Sequence, residues 1–233
     1  ALRHNRRRDF VLAGLTLGFG LYTYQAVRML PVIVVIGVVL AIIFKAKTWL
    51  ERRTYTLNFA VLVLIAIVAF VPLLTFSFQY PEYFWMRTSG RLLGDDIITA
   101  RDEQGNLIER RAELPERIAA FQKNLPVLMD NIRNALLMYN WKGDVLWFSG
   151  VPNRPAMDVV TGTLLVIGLA AWLARLFRRR DVADWLLPIM LFVMLLPSAF
   201  SIAYPIENPS ATRTSGTLPV AYLFAALPLA LLA

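Results

Sequence analysis

Residues 54–81, TYTLNFAVLVLIAIVAFVPLLTFSFQYP, run for 28 positions without a charged side chain. A hydrocarbon core of ~30 Å is crossed by ~20 helical residues, so this stretch is long enough to span a membrane as a helix. Five more uncharged runs surround it: Phe10 to Val27, Met29 to Phe44, Val159 to Ala174, Trp185 to Ile206 and Thr214 to Ala233. The Met29 and Val159 runs are slightly short, but flanking Arg and Lys side chains can snorkel to the interface. One such run is compatible with the core of a large soluble protein. Six in 233 residues are not. The expected fold class is all-α: a polytopic α-helical membrane protein with about six transmembrane helices and one long extracytoplasmic loop.

Composition agrees. The chain is 58% hydrophobic and 17% charged, has no cysteine and carries a formal charge of +8. A soluble domain is ~25% charged, so the apolar surplus faces something other than water. Disorder, a disulfide scaffold and a thiolate metal site are excluded. The sequence lacks an initiator Met and stops inside the apolar run Ala221 to Ala233, which is expected of a segment of a longer polypeptide. Phe10 to Val27 has no small-residue cleavage pattern and is followed at once by a second span, unlike a signal peptide.

The charge is unevenly distributed. Arg3, Arg6, Arg7 and Arg8, then Lys45, Lys47, Arg52 and Arg53, then Arg175, Arg178, Arg179 and Arg180 lie on short segments between alternate spans. The positive-inside rule assigns them to the cytoplasm. Those segments hold twelve basic residues against four acidic ones; the opposite side holds twelve of each. The surplus therefore records topology in the inner membrane. A nucleic-acid surface would gather it on one face with stacking aromatics, and none is expected.

The division expected is residues 1–76 as three spans, 77–157 as an extracytoplasmic region and 158–233 as three spans, the last truncated. A connection as long as Ser77 to Met157 carries structure or function. Ile97 to Arg101 and Leu107 to Arg111 read as strands of a hairpin around Asp102-Glu103-Gln104-Gly105-Asn106. From Pro115, Ile118, Phe121, Leu125, Leu128, Ile132, Leu136 and Tyr139 recur at helical steps, broken near Pro126. That predicts one or two amphipathic helices on the outer membrane surface.

Single charged residues on the outer side are the candidate site. Arg28, beside Pro31, suits either an anionic lipid phosphate or simple anchoring at the headgroups. Arg213, just before the last span, has the same two readings. Asp144, in Trp141-Lys142-Gly143-Asp144, suits a metal or base role or a solvated turn, as does the pair Asp95-Asp96, for which the turn is favoured. Glu207 shares the short loop with Arg213. His4 reads as solvated. No cofactor motif and no metal-ligand spacing occurs.

Three stretches resemble the polytopic glycosyltransferases of the GT-C type, in the family-39-like group. They are Leu21-Tyr22-Thr23-Tyr24-Gln25-Ala26-Val27-Arg28-Met29-Leu30-Pro31; Asn134-Ala135-Leu136-Leu137-Met138-Tyr139-Asn140-Trp141-Lys142-Gly143-Asp144 with Pro152-Asn153-Arg154-Pro155-Ala156-Met157-Asp158; and Thr212-Arg213-Thr214-Ser215-Gly216-Thr217-Leu218-Pro219. The resemblance implies sugar transfer from a polyprenyl-phosphate donor on the outer face. Arg28 and Arg213 would then meet the phosphate, and Arg28, Arg213, Glu207 and Asp144 form the candidate substrate-binding set. The acidic residue expected to serve the chemistry lies in a first outer loop that this sequence does not include. Leu146-Trp147-Phe148-Ser149-Gly150 departs from the group's polar or basic pattern and suggests contact with lipid or a partner protein. The competing reading is a non-catalytic subunit packed among other integral membrane subunits. Transport is the weakest reading, because the spans hold no ionisable group beyond tyrosine.

Overall fold

The computed structural model describes residues 1–94, 97–101, 106–178 and 181–232. Asp95-Asp96, the hairpin tip at 102–105 and Arg179-Arg180 lie outside the described residues. Nine α-helices and one two-stranded sheet are present among them: α1 (Arg7–Gly20), α2 (Leu30–Phe44), α3 (Trp49–Gln79), α4 (Pro81–Leu93), β1 (Ile97–Arg101), β2 (Leu107–Arg111), α5 (Leu114–Asn124), α6 (Val127–Leu137), α7 (Val159–Arg178), α8 (Val182–Ala199) and α9 (Leu218–Leu232). Among the described residues, five helical segments are long and apolar enough to cross a membrane: Gln25–Phe44, Trp49–Gln79, Val159–Leu176, Val182–Ala199 and Ser215–Leu232. The chain is an all-α polytopic membrane protein.

The first expected span needs correction. Phe10 to Val27 is not one helix: α1 stops at Gly20, and a 3₁₀ turn over Gln25–Met29 leads into α2. The Thr23 hydroxyl and the Thr23 N–H both donate to the Gly20 carbonyl, at 2.6 and 3.1 Å. A side chain that bonds locally in this way competes with helix continuation. Fourteen residues of α1 cover only ~21 Å.

The chain forms two compact units, one of Ala1–Thr75, Met157–Leu195 and Thr212–Ala233, the other of Phe76–Ala156 and Leu196–Ala211. In the first, α1 meets α3 through glycine. A Cβ on Gly14 would lie 2.6 Å from the Leu62 carbonyl oxygen, and one on Gly18 would lie 2.6 Å from Ala69 Cβ and 2.8 Å from the Ala66 carbonyl oxygen. Small residues four apart are what allow two membrane helices to approach so closely. Phe10, Val38, Ala41, Tyr55 and Leu62 close the core beside them. Polar groups there are satisfied: Asn58, buried on α3, donates to the Asn5 carbonyl and side-chain oxygens at 3.0 and 2.9 Å, and the Tyr55 hydroxyl donates to the Leu2 carbonyl.

A second cluster of Ile33, Val193 and Met194 joins α2 to α8. The α7–α8 hairpin closes on Asp184, which is almost fully buried. Its Oδ1 lies 2.9 Å from Arg175 Nε, while Trp172 Nε1 donates to its backbone carbonyl at 2.7 Å. Breaking such a pair leaves a buried charge without compensation. At the other end, Asp158 caps α7. Its Oδ1 accepts from the Val160 and Thr161 N–H groups, and its Oδ2 accepts from the Thr161 hydroxyl. Outward-facing Leu57, Leu64, Ile67, Val68 and Val71 leave α3 an apolar exterior suited to hydrocarbon.

In the second unit the strands pair antiparallel with Ile97 opposite Arg111 and Arg101 opposite Leu107, as the turn chemistry predicts. The amphipathic stretch resolves into two helices parted at Leu125-Pro126. Leu114, Ile118, Met129 and Leu136 stay exposed on them. Helix α4 is new relative to the sequence reading, which assigned no element between Ser77 and Ile97. Pro81 at its first position and an amphipathic pattern ending at Gly94, with φ of 83°, account for it.

In the second unit Arg110 and Glu116 form an ionic joint. Arg110 donates two bonds to Glu116, at 3.0 and 2.5 Å, and Glu116 also accepts from the Glu113 N–H at 2.9 Å, within a capping box. The Arg110 guanidinium, followed by the Glu113 N–H, holds the Glu116 carboxyl below the usual carboxylate range. A depressed folded-state pKa contributes stability that is present above the unfolded value, ~4.3, and lost as pH falls through the folded one. Hydrogen exchange at the Glu113 amide is therefore expected to accelerate below about pH 4, beyond the intrinsic pH trend, and Glu116→Gln should abolish that excess. An unchanged protection factor through this range would refute the coupling.

Candidate functional site

Within the second unit, three stretches distant in sequence are tied together by buried polar groups. Helix α6 supplies Asn131, fully buried, whose Nδ2 donates to the Ala199 and Ser201 carbonyls at 3.0 and 3.3 Å. These carbonyls lie at the C-terminal end of α8, where helix carbonyls lack internal donors. Ser198, also fully buried, accepts at Oγ from Asn208 Nδ2 at 3.1 Å and from the Ser210 N–H at 2.9 Å.

Asp144 closes the arrangement. Its Oδ1 accepts from the Leu146 N–H at 2.8 Å and its Oδ2 from the Ala211 N–H at 2.9 Å. The loop behind it is held by Asn153, whose N–H donates to the Asp144 carbonyl at 2.8 Å and whose carbonyl accepts from the Gly143 N–H at 3.3 Å; the Ala156 N–H donates to the Met138 carbonyl at 2.9 Å. Gly143 is required here. A Cβ would lie 1.9 Å from the Arg154 carbonyl oxygen. A cavity of about 150 Å³ opens against Asp144, Ser149 and Arg154, and Ser149 Oγ is buried on its wall without a hydrogen-bond partner.

The four candidate substrate-binding residues divide between the units. Arg28 and Arg213 belong to the first, Asp144 and Glu207 to the second. Arg28 is half-buried in the 3₁₀ turn before α2, and Arg213 is buried just ahead of the turn into α9. Glu207 accepts from Arg91 Nε at 3.0 Å, and the Ala203 N–H donates to the Arg91 carbonyl. The sequence reading missed Asn131, Ser198 and Asn208. Asn131 and Ser198 carried a legible signal, a polar side chain on the buried stripe of a helix. Asn208 carried none beyond its place before Pro209. Among the described residues, no three His, Asp or Glu side chains group as a metal-holding cluster.

Comparison with protein-family models, with curated proteins and with solved structures finds no match to this chain.

Proposed function

We propose that the chain is the membrane-embedded part of a glycosyltransferase that takes sugar from a polyprenyl-phosphate donor on the outer face of the cytoplasmic membrane. The observation supporting this is the joining of the two halves of the central resembling stretch, through the Gly143–Asn153, Asn153–Asp144 and Ala156–Met138 backbone bonds, into one preorganised loop. Sugar transfer from a lipid phosphate needs cations where the leaving phosphate develops charge, held in a site that does not reorganise. Arg28 and Arg213 are the side chains assigned to that phosphate, and burial of Arg213 makes its charge count for more than at an exposed surface.

The assay is sugar transfer from a polyprenyl-phosphate donor by the full protein in nanodiscs. Arg28→Ala and Arg213→Ala are each expected to lower kcat/KM by ~10²-fold, with Lys at either position restoring part of the loss. Turnover equal to the parent in both alanine variants overturns the phosphate assignment. Orientation is tested separately. Because the chain has no cysteine, Lys47→Cys and Glu109→Cys introduce unique thiols, and an impermeant maleimide applied outside should label only the second. Labelling of both from one side would reverse the topology.

Exposure of Trp147 and Val151 on the same outer loop favours a second reading, a non-catalytic subunit that packs this apolar surface against other integral membrane subunits. Stable copurification with such subunits, together with no transfer activity, would select it.

A further inference from the structure

In the first unit, the outward faces of two helices each end in an arginine. An α-helix turns ~100° per residue, so on α3 Trp49, Arg53, Leu57, Leu64, Ile67 and Val68 fall within one sector ~100° wide. All six are exposed, on the side opposite the buried Tyr55, Asn58 and Leu62. On α1, Arg8 continues the exposed row of Leu12, Leu15 and Phe19, within a sector ~60° wide and away from the buried Phe10, Gly14 and Gly18. The two helices run in the same direction, since Gly14 approaches Leu62 and Gly18 approaches Ala66. Extending that register by its offset of 48 sets Arg8 level with Thr56, less than one turn from Arg53, so both arginines come to the same end of the unit.

Neither arginine is neutralised from within. Among the described residues, neither the Arg8 nor the Arg53 side chain makes an ion pair or hydrogen bond. Glu51, on the first turn of α3, is committed to the Lys47 and Thr48 N–H groups, which donate to its Oε2 at 2.7 and 3.2 Å. The position along each stripe says what meets these charges. Below Arg53 and Arg8 the exposed surface is apolar and suited to hydrocarbon, while Trp49, 79% exposed beside Arg53, has the amphipathic ring that settles at the headgroup level. An arginine there lays its stem along the apolar stripe and holds its guanidinium among lipid phosphates. A zwitterionic headgroup brings its own cation to that place, whereas a headgroup of net negative charge does not.

We propose that Arg8 on α1 and Arg53 with Trp49 on α3 select phospholipids of net negative headgroup, each acyl chain lying along its helix stripe and each phosphate meeting its arginine. These sites lie on the basic end of the unit, and the proposal is independent of sugar transfer.

The test is electron spin resonance of the purified protein in phosphatidylcholine vesicles carrying trace spin-labelled phosphatidylglycerol or phosphatidylcholine, which reads the share of each label immobilised at the protein surface. Phosphatidylglycerol is expected to associate ~2-fold or more over phosphatidylcholine, the average of a ~5-fold preference at each arginine with none along the rest of the lipid contact. Arg8→Gln and Arg53→Gln should each lower the ratio, and the double variant should bring it close to parity. Both side chains are exposed and bond to nothing in the fold, and ten of the twelve cations that set orientation remain in the double variant, so structure and topology are retained. Arg3→Gln removes the same charge from a position outside both stripes and should leave most of the preference. Equal association of the two lipids, a double variant matching the parent, or an Arg3→Gln loss as large as that from either stripe arginine would each overturn the assignment.

Discussion

Gly168→Ala is expected to destabilise the membrane unit by ~3 kcal/mol, read as a shift in its equilibrium unfolding in mixed micelles. A Cβ at this position would stand 1.8 Å from the Phe224 carbonyl oxygen and 2.7 Å from the carbonyl carbon, both backbone atoms of α9 that no rotamer change can move. The sequence explains why a carbonyl is presented there. Pro228 sits four residues after Phe224 inside α9, has no N–H to donate to it, and turns its ring toward it. The freed oxygen faces the Gly168 backbone on α7, a geometry suited to a Cα–H···O contact. Trp172, one turn further along α7, packs edge-on against the Phe224 ring at 5.7 Å, so the two helices meet in ring and backbone together. Gly20→Ala at the end of α1, in the same unit, where an added Cβ meets only a Val27 methyl at 3.7 Å, is the matched control and should leave stability unchanged or raise it by up to ~1 kcal/mol. Equal effects from the two substitutions would refute the close approach.

Asp144→Ala is expected to cost ~2–6 kcal/mol and to loosen the loop that follows. Two partly buried N–H groups, of Leu146 and Ala211, would lose their acceptor, each at up to ~1–3 kcal/mol. Hydrogen exchange resolves the outcome: the Leu146, Asn153 and Ala211 amides should all lose protection, whereas a solvated Asp144 would change none of them. Asp144→Asn separates framework from chemistry. The amide can accept from one of the two donors but turns its own N–H₂ toward the other, so part of the stability loss persists. Abolished transfer with native protection factors would instead place the carboxylate in the reaction.

Much of the membrane architecture was legible because burial in hydrocarbon imposes a crude rule, length without charge, which Thr54 to Pro81 satisfies at a glance; Trp185 to Ile206 satisfies it too, but the helix there ends at Ala199. The hairpin was legible too, since its strands flank turn residues in the expected order. The extent of α1 was not. Its end depends on one Thr23 hydroxyl folding back on Gly20, a local competition that composition averages away. The site was legible only in part. Asp144, Glu207, Arg28 and Arg213 stand out as charges, but the partners that give Asp144 its role are backbone N–H groups, which no sequence displays. Asn131, Ser198 and Asn208 bond to atoms 10 to 70 positions away, and only the folded chain brings those atoms within reach.

The contact of α1 with α3 has a consequence for how this protein's history can be read. At Gly14 and Gly18 the two helices are matched by the lack of side chains, while outward-facing positions of α1 such as Leu12 and Phe19 ask only for an apolar residue of any shape. Letters such as Leu, Val, Ile and Phe can be exchanged there with little penalty. Descent would then erode the alphabet of the helix while its geometry persisted, and two silent positions, four apart, would be the part of the text that lasts.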